Sequence, residues 1–180
     1  YNFLKEYLIL NWGAKIAHGM EADDALGINQ NQEAEYGFEG FGTIICSIDK
    51  DLLQIPGLHY NFVKKELKKI GNYEALRNFY EQILIGDVSD NVPGIYGIGP
   101  KKAAKYLEGA NTEWEMFEIV KNLFLQKLFD MVPPNLEAPL EFRTKEEEEK
   151  YVLERLLTVA RLLRIKQRED EGLWNPPTQD

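Results

Sequence analysis

The sequence predicts an α/β fold: an incomplete parallel sheet followed by a helical subdomain. Three observations predict it. β-prone runs alternate with helical stripes up to about residue 70. Helical stripes alone follow. Acidic clusters stand where these elements end. The change falls near residues 70–90, which divides the chain into a sheet-bearing core at 1–70 and a helical part at 71–180.

Phe3, Leu4, Tyr7, Leu8 and Leu10 are spaced as on a helix that Gly13 stops. Ala14–His18 is expected as a short strand, Glu21–Gln30 as a helix and Asn29–Gly42, with three glycines, as a loop. Thr43–Ile48 is a continuous β-prone run of the kind buried on both faces, which puts Cys46 in the core. Asp49–Leu53 suits a helical turn, and Leu58–Ile70 one or two further strands. Asn72–Ile85 carries Leu76, Phe79, Tyr80, Ile83 and Leu84 as one apolar stripe. Helices are then expected at Pro100–Leu107, Glu113–Phe129 and Lys145–Arg164, with a proline-rich link at Met131–Pro139 and a tail from Trp174. Glu146–Glu149 suits the start of the last helix, where the dipole favours negative charge.

The chain has 180 residues, of which 44% are hydrophobic, enough to bury a core and to exclude disorder as a class. Its 21 basic and 30 acidic residues give a net charge of −9, which excludes a uniformly basic nucleic-acid binder but not a local basic patch. One cysteine excludes a disulfide scaffold and a multi-thiolate zinc site, and fits a reducing compartment such as cytoplasm. No apolar run reaches membrane-spanning length, no signal peptide opens the chain, and no membrane partner is expected. The first residue, Tyr1, already lies in a helical stripe, as expected of the C-terminal part of something longer.

Three acidic clusters carry chemistry: Glu21-Ala22-Asp23-Asp24, Asp49-Lys50-Asp51 and Asp87-Val88-Ser89-Asp90. The first two follow candidate strands, on the edge where open parallel sheets bind ligands. Seven carboxylates in one place repel one another unless cations are present. An all-oxygen set suits Mg²⁺ or Mn²⁺ rather than zinc. Setting these seven aside leaves 23 acidic against 21 basic residues, so the net charge falls from −9 to −2. Two such ions can activate water and stabilise the leaving oxygen of a phosphodiester. Any one cluster by itself is commoner as a helix cap than as a ligand, and it is their number that favours metal.

Asn91–Lys105 is the most specific stretch. Gly94, Gly97 and Gly99 permit a tight hairpin, and Pro100 suits the first turn of a helix. Unpaired N–H groups with Lys101, Lys102 and Lys105 are expected to form an anion site for a phosphodiester backbone, without base reading. The alternative is an ordinary helix corner with surface lysines. His18 and His59 are expected to be structural or surface residues, and Trp12, Trp114 and Trp174 to be packing residues rather than base-stacking platforms. Lys64, Lys65, Lys68 and Lys69 suit a solvated edge, and Arg155, Arg161, Arg164, Lys166 and Arg168 suit the basic end of the last helix.

Glu21–Asp24, Ile48–Leu52 and Gly86–Gly94 followed by Ile95–Lys102 resemble the 5′-nuclease (flap endonuclease) superfamily, above all bacteriophage 5′–3′ exonucleases and the 5′-nuclease domain of bacterial DNA polymerase I. The resemblance implies a PIN-like, Rossmann-like nuclease core and a helix–three-turn–helix element at about 86–108. It implies two Mg²⁺ or Mn²⁺ sites. Glu21, Asp23 and Asp24 match the first-site acids, and Asp49, Asp51, Asp87 and Asp90 the second-site acids. Asp23, Asp24, Asp49 and Asp51 are the matching catalytic positions. Gly94–Lys105 matches a duplex-binding hairpin that in the family also holds K⁺ through backbone carbonyls. The implied substrate is double-stranded DNA with a 5′ end or flap, in the host cytoplasm if the protein is phage-encoded. The family's first two Asp-bearing strands, and an arch with catalytic Lys and Arg, have no match in this chain. A separate segment is therefore expected to complete the site. A non-catalytic duplex-binding module is the alternative, and a PIN-type ribonuclease is disfavoured because it does not call for Gly94–Lys105.

Overall fold

Strand Ile44–Cys46 (β1) pairs in parallel with Gly57–Asn61 (β2), with Ile44 opposite Leu58 and Cys46 opposite Tyr60. The computed structural model in which this sheet is seen describes residues 2–35, 42–127 and 144–179. Glu66–Ile70 (β3) adds to β2 in antiparallel fashion, giving the order β1-β2-β3. The sheet is therefore mixed. Only four residues separate β2 from β3, too few for the crossover that a parallel pair requires. The turn between them is pinned by the Asn61 side chain, which accepts the amides of Val63 and Lys64.

Helices Asn2–Trp12 (α1) and Ala22–Glu35 (α2) precede the sheet, and a 3₁₀ turn at Asp51–Gln54 lies in the β1–β2 crossover. Asn72–Ile85 (α3) follows the sheet and leads into a two-stranded ribbon, Gly86–Asp87 (β4) with Val92–Pro93 (β5). Pro100–Tyr106 (α4), Glu113–Gln126 (α5) and Lys145–Leu163 (α6) complete the described elements. Thr112 and Thr144 each accept the amide three residues on, while Glu115 and Glu147 reach back. These capping boxes fix where α5 and α6 begin.

The larger core joins Phe79, Tyr80, Ile83 and Leu84 of α3 to Leu107, Met116, Val120 and Phe124, and to Val152, Leu156 and Ala160 of α6. Trp174 packs edge-on against Phe79 and Tyr80, at interplanar angles of 65° and 77°, so the tail is part of this body. A smaller core holds Ile45, Leu52, Ile55 and Ile165. Gln54, 1% exposed, ties the two. Its Nε2 donates to Leu163 O at 2.8 Å and to Gln82 Oε1 at 3.1 Å, and its Oε1 accepts the Ile165 amide at 2.9 Å.

Several expectations are corrected. Ala14–His18 is not a strand: no described strand pairs with it, and an unpaired strand leaves its backbone groups unmet. Helix α2 runs past Gln30 to Glu35, because no glycine lies between Gln30 and residue 37 and because Gln30 is useful inside it. The buried Gln30 side chain donates to Leu58 O and accepts from the Thr43 hydroxyl. The rest of the expected 29–42 loop through residue 41, and the proline-rich link 131–139, lie outside the described residues. β1 is buried on one face only, so Ile44 and Cys46 are exposed rather than core. Trp12 is exposed as well, and α1 buries no residue. His59 is buried and its ring nitrogen meets Ile55 O at 2.8 Å, a structural role.

Replacing Gln54 by Ala leaves Leu163 O and the Ile165 amide buried without partners. The variant is expected to lose about 3 kcal/mol of stability. Chemical denaturation at equilibrium measures it, and a loss below about 1 kcal/mol would show that water replaces the amide.

Candidate functional site

Each acidic cluster sits at a junction that the fold brings to one region. Asp23 and Asp24 lie in the first turn of α2, Asp49 and Asp51 lie just after β1, and Asp87 and Asp90 lie in the β4–β5 ribbon. The carboxyl of Asp23 is held above the ordinary carboxylate range, first by burial and then by the charges of Asp49, Asp24 and Asp90. Asp51 is pushed up to about 7, first by burial, then by a hydrogen bond with Asp87 and by the charges of Asp49 and Asp87. Asp87 is shifted the other way, chiefly because it accepts that hydrogen bond, with further help from the amides of Ser89 and Asp90. Burial and the shared hydrogen bond therefore favour the protonated form of Asp51 and the ionised form of Asp87. Six of the seven expected acids act on one another. Glu21 is exposed before α2 and is not among the charges acting on Asp23.

Some of these side chains also serve locally. Asp49 Oδ1 accepts the Asp51 amide at 3.0 Å, Asp87 Oδ1 accepts the Ser89 amide at 2.7 Å, and Asp24 Oδ1 accepts the Lys166 amide at 2.9 Å. The last bond ties α2 to the chain leaving α6, which sequence reading did not anticipate. Gly27 belongs to the same junction: a Cβ there would stand 2.3 Å from Lys166 O. Asp51 Oδ1 is buried with no hydrogen-bond partner. Among the described residues, no three His, Cys, Asp or Glu side chains are arranged to enclose an ion.

The ribbon depends on two glycines. Gly86 takes φ +74°, and a Cβ on it would stand 2.2 Å from Gly94 N. A Cβ on Gly94 would stand 2.2 Å from Ile85 C. Gly94 thus lets two backbone segments cross, which places Asp87, 9% exposed, beside Asp51. Its part in the hairpin is close packing rather than an open ligand face. Gly97, at φ +76°, and Gly99 are different: a Cβ at either would meet nothing within 4 Å.

Beyond the ribbon, the Ile98 amide donates to Ile95 O at 3.1 Å, closing a turn around Tyr96 and Gly97. The amides of Lys102 and Ala103 both donate to Gly99 O at 3.0 Å. These three N–H groups are therefore not the unpaired anion donors that the sequence suggested, and the available cations are side chains. Lys101, Lys102 and Lys105 are all exposed, and Lys102 Nζ reaches back to Gly97 O at 2.8 Å. Elsewhere, Lys68 is paired with Glu74 and Arg164 with Glu171, and the Arg164 guanidinium lies over the Phe79 ring. These cations already have structural partners.

No family model matches the chain. It is 34% identical over 133 residues to a DNA polymerase I from Bacillus caldotenax, covering 67% of this chain and 15% of that protein. It is 34% identical over 115 residues to a 5′–3′ exonuclease from Aquifex aeolicus, covering 56% of this chain and 39% of that protein. A DNA polymerase I from Rhizobium leguminosarum is 38% identical over 100 residues, covering 50% of this chain and 9% of that protein. These similarities support the 5′-nuclease superfamily for this chain. It spans well under two thirds of these relatives, so it corresponds to a part of each. Among the described residues, no helix is long and apolar enough to cross a membrane.

Gly94→Ala is expected to separate the ribbon from the end of α3 and to cost about 3 kcal/mol, because the clash is with backbone that cannot rotate away. Gly99→Ala, whose Cβ is unopposed, is expected to cost under about 1 kcal/mol. Thermal unfolding of the pair tests the contrast, and equal losses would refute the close-packing role of Gly94.

Proposed function

We propose that this chain is part of a metal-dependent 5′–3′ exonuclease or flap endonuclease that hydrolyses phosphodiester bonds in duplex DNA near a 5′ end. The observation that carries the reading is the mutual action of acids from three separate clusters, centred on Asp23 and on the Asp51–Asp87 pair. Packing so much like charge is unfavourable unless a cation offsets it. The buried, unpartnered Asp51 Oδ1 and the all-carboxylate donor set suit a hard ion such as Mg²⁺ or Mn²⁺. Asp23, Asp24, Asp49, Asp51, Asp87 and Asp90 would hold two such ions, with Glu21 at the rim. Bound there, the ions supply a water acidified for attack and Lewis-acid stabilisation of the phosphodiester.

The remaining tasks fall to the chain itself. Asp87, buried within the ribbon, accepts a hydrogen bond from Asp51 and so orients it. The segment Gly94–Lys105 acts as the turn and second helix of a helix–three-turn–helix element, with K⁺ as a further ligand of its carbonyls. Lys101, Lys102 and Lys105 hold phosphates of the duplex and position it without reading bases. Three cations neutralise at most about three phosphates, so log K should fall with log salt with a slope of roughly −3.

A second reading, a duplex-binding module without turnover, is favoured by one observation: the acids meet in pairs and chains rather than around a common point. The two differ in their response to metal. With Mn²⁺ at a hundred times its Kd, the parent chain should gain about 2.7 kcal/mol. Asp51→Asn and Asp87→Asn should lose most of that gain. Above pH 7, where the parent's Asp51 loses its proton, Asp51→Asn should also raise the metal-free melting temperature, because it removes charge from a repulsive cluster. No stabilisation by Mn²⁺ would overturn the metal site. Stabilisation without any cleavage of a 5′-labelled duplex, even with the remainder of a relative's nuclease domain supplied, would favour the module.

A further inference from the structure

Outside α1, the two most exposed large apolar side chains among the described residues are Val88, at 95%, and Tyr96, at 81%. Both lie in the short segment between α3 and α4. Single exposed apolar residues are ordinary on protein surfaces. The setting of Tyr96 is not. Its neighbours at 95 and 98 are isoleucines buried at 2% and 6%, so the chain dives into the core on both sides of it. The Ile95 amide donates to Leu84 O at 2.9 Å, the Ile98 amide donates to Ile95 O, and Lys102 Nζ holds Gly97 O. Gly97 takes the positive φ that lets the turn close. The ring is therefore presented outward from a turn fixed at both ends, with open space above Gly97 and Gly99 and three exposed lysines in the next helix.

We propose that Tyr96 is an aromatic anchor for duplex DNA, lying against the sugar–phosphate backbone while Lys101, Lys102 and Lys105 hold the flanking phosphates. The proposal rests on the duplex-binding reading of Gly94–Lys105 and adds a non-ionic contact to it. A tyrosine suits this role because it offers a large rigid surface with few torsions to immobilise. The turn that bears it is already ordered before the ligand arrives, so little freedom is lost on contact. The charge fits as well: a local cluster of cations in a chain of net charge −9 selects a polyanion for this one face. Because the ring is uncharged, it releases no counterion. It adds affinity without adding to the salt dependence.

The test is duplex binding by the whole chain, read by fluorescence anisotropy at several salt concentrations, with Tyr96→Ala, Tyr96→Phe and the double charge reversal Lys101→Glu/Lys102→Glu. Tyr96→Ala should weaken binding about tenfold, as for loss of an ordered aromatic anchor, with an unchanged salt slope. Tyr96→Phe should bind within about twofold of the parent. Melting temperatures of both Tyr96 variants should equal the parent's, since the ring is in water. The charge reversal should weaken binding and flatten the slope. If Tyr96→Ala binds like the parent while the charge reversal does not, the anchor is refuted and the lysine hairpin stands. If Tyr96→Ala flattens the slope, its effect is ionic and the anchor is refuted. If neither variant changes binding, or the parent binds no duplex at low salt, both readings fall.

Discussion

The buried amide of Gln54 is the constraint on which the arrangement depends. One side chain joins the 3₁₀ turn that carries Asp51, the helix that leads to Asp87 and the strand-like chain leaving α6. That chain continues to Lys166, whose amide is held by Asp24. Three distant stretches of sequence are therefore brought into register by neutral hydrogen bonds in a dry interior, where each bond is directional and costly to break. Gln167 adds a fourth link through Gln54 O, and Asn78 fixes the neighbouring Leu53 O.

This polar hub answers an electrostatic difficulty. Carboxylates do not gather of their own accord. Here the packing of α3 against α5 and α6 and the backbone crossing at Gly86 and Gly94 fix Asp87 in a buried place. In the Asp51–Asp87 pair, burial and the shared hydrogen bond push the two carboxyls in opposite directions, Asp51 up and Asp87 down, which favours having one of them uncharged. Hydrophobic burial and the hub supply the stability against which the charged cluster is held, a division expected where function opposes folding.

The two ends of the molecule differ in how completely they are packed. The helical part encloses Phe79, Tyr80, Phe124 and Leu156, and its boundaries are set by capping boxes. The sheet has three strands with β1 at an edge, one face of β1 exposed, and α1 carrying Phe3, Leu10 and Trp12 into solvent. The superfamily relatives extend well beyond the matched stretch.

The sequence by itself determined much of the helical half. The stripe from Leu76 to Leu84, Pro100 in a first turn, and the Thr112 and Thr144 caps are local signals, and the helices at 72–85, 100–106, 113–126 and 145–163 follow from them. The motifs around Asp23, Asp49, Asp87 and Gly97 were legible because spacing within one turn is local too. Tertiary structure decided the rest. Whether Cys46 and Trp12 are buried depends on what packs over them, and nothing described does. Whether residues 14–18 form a strand depends on a pairing partner that no propensity supplies. Whether Gly94 binds or packs depends on a backbone 2.2 Å from its missing Cβ. Gln54 gave no signal at all, because a buried glutamine between two leucines and an isoleucine reads as a surface residue until its partners, two of them more than a hundred residues away in sequence, close around it.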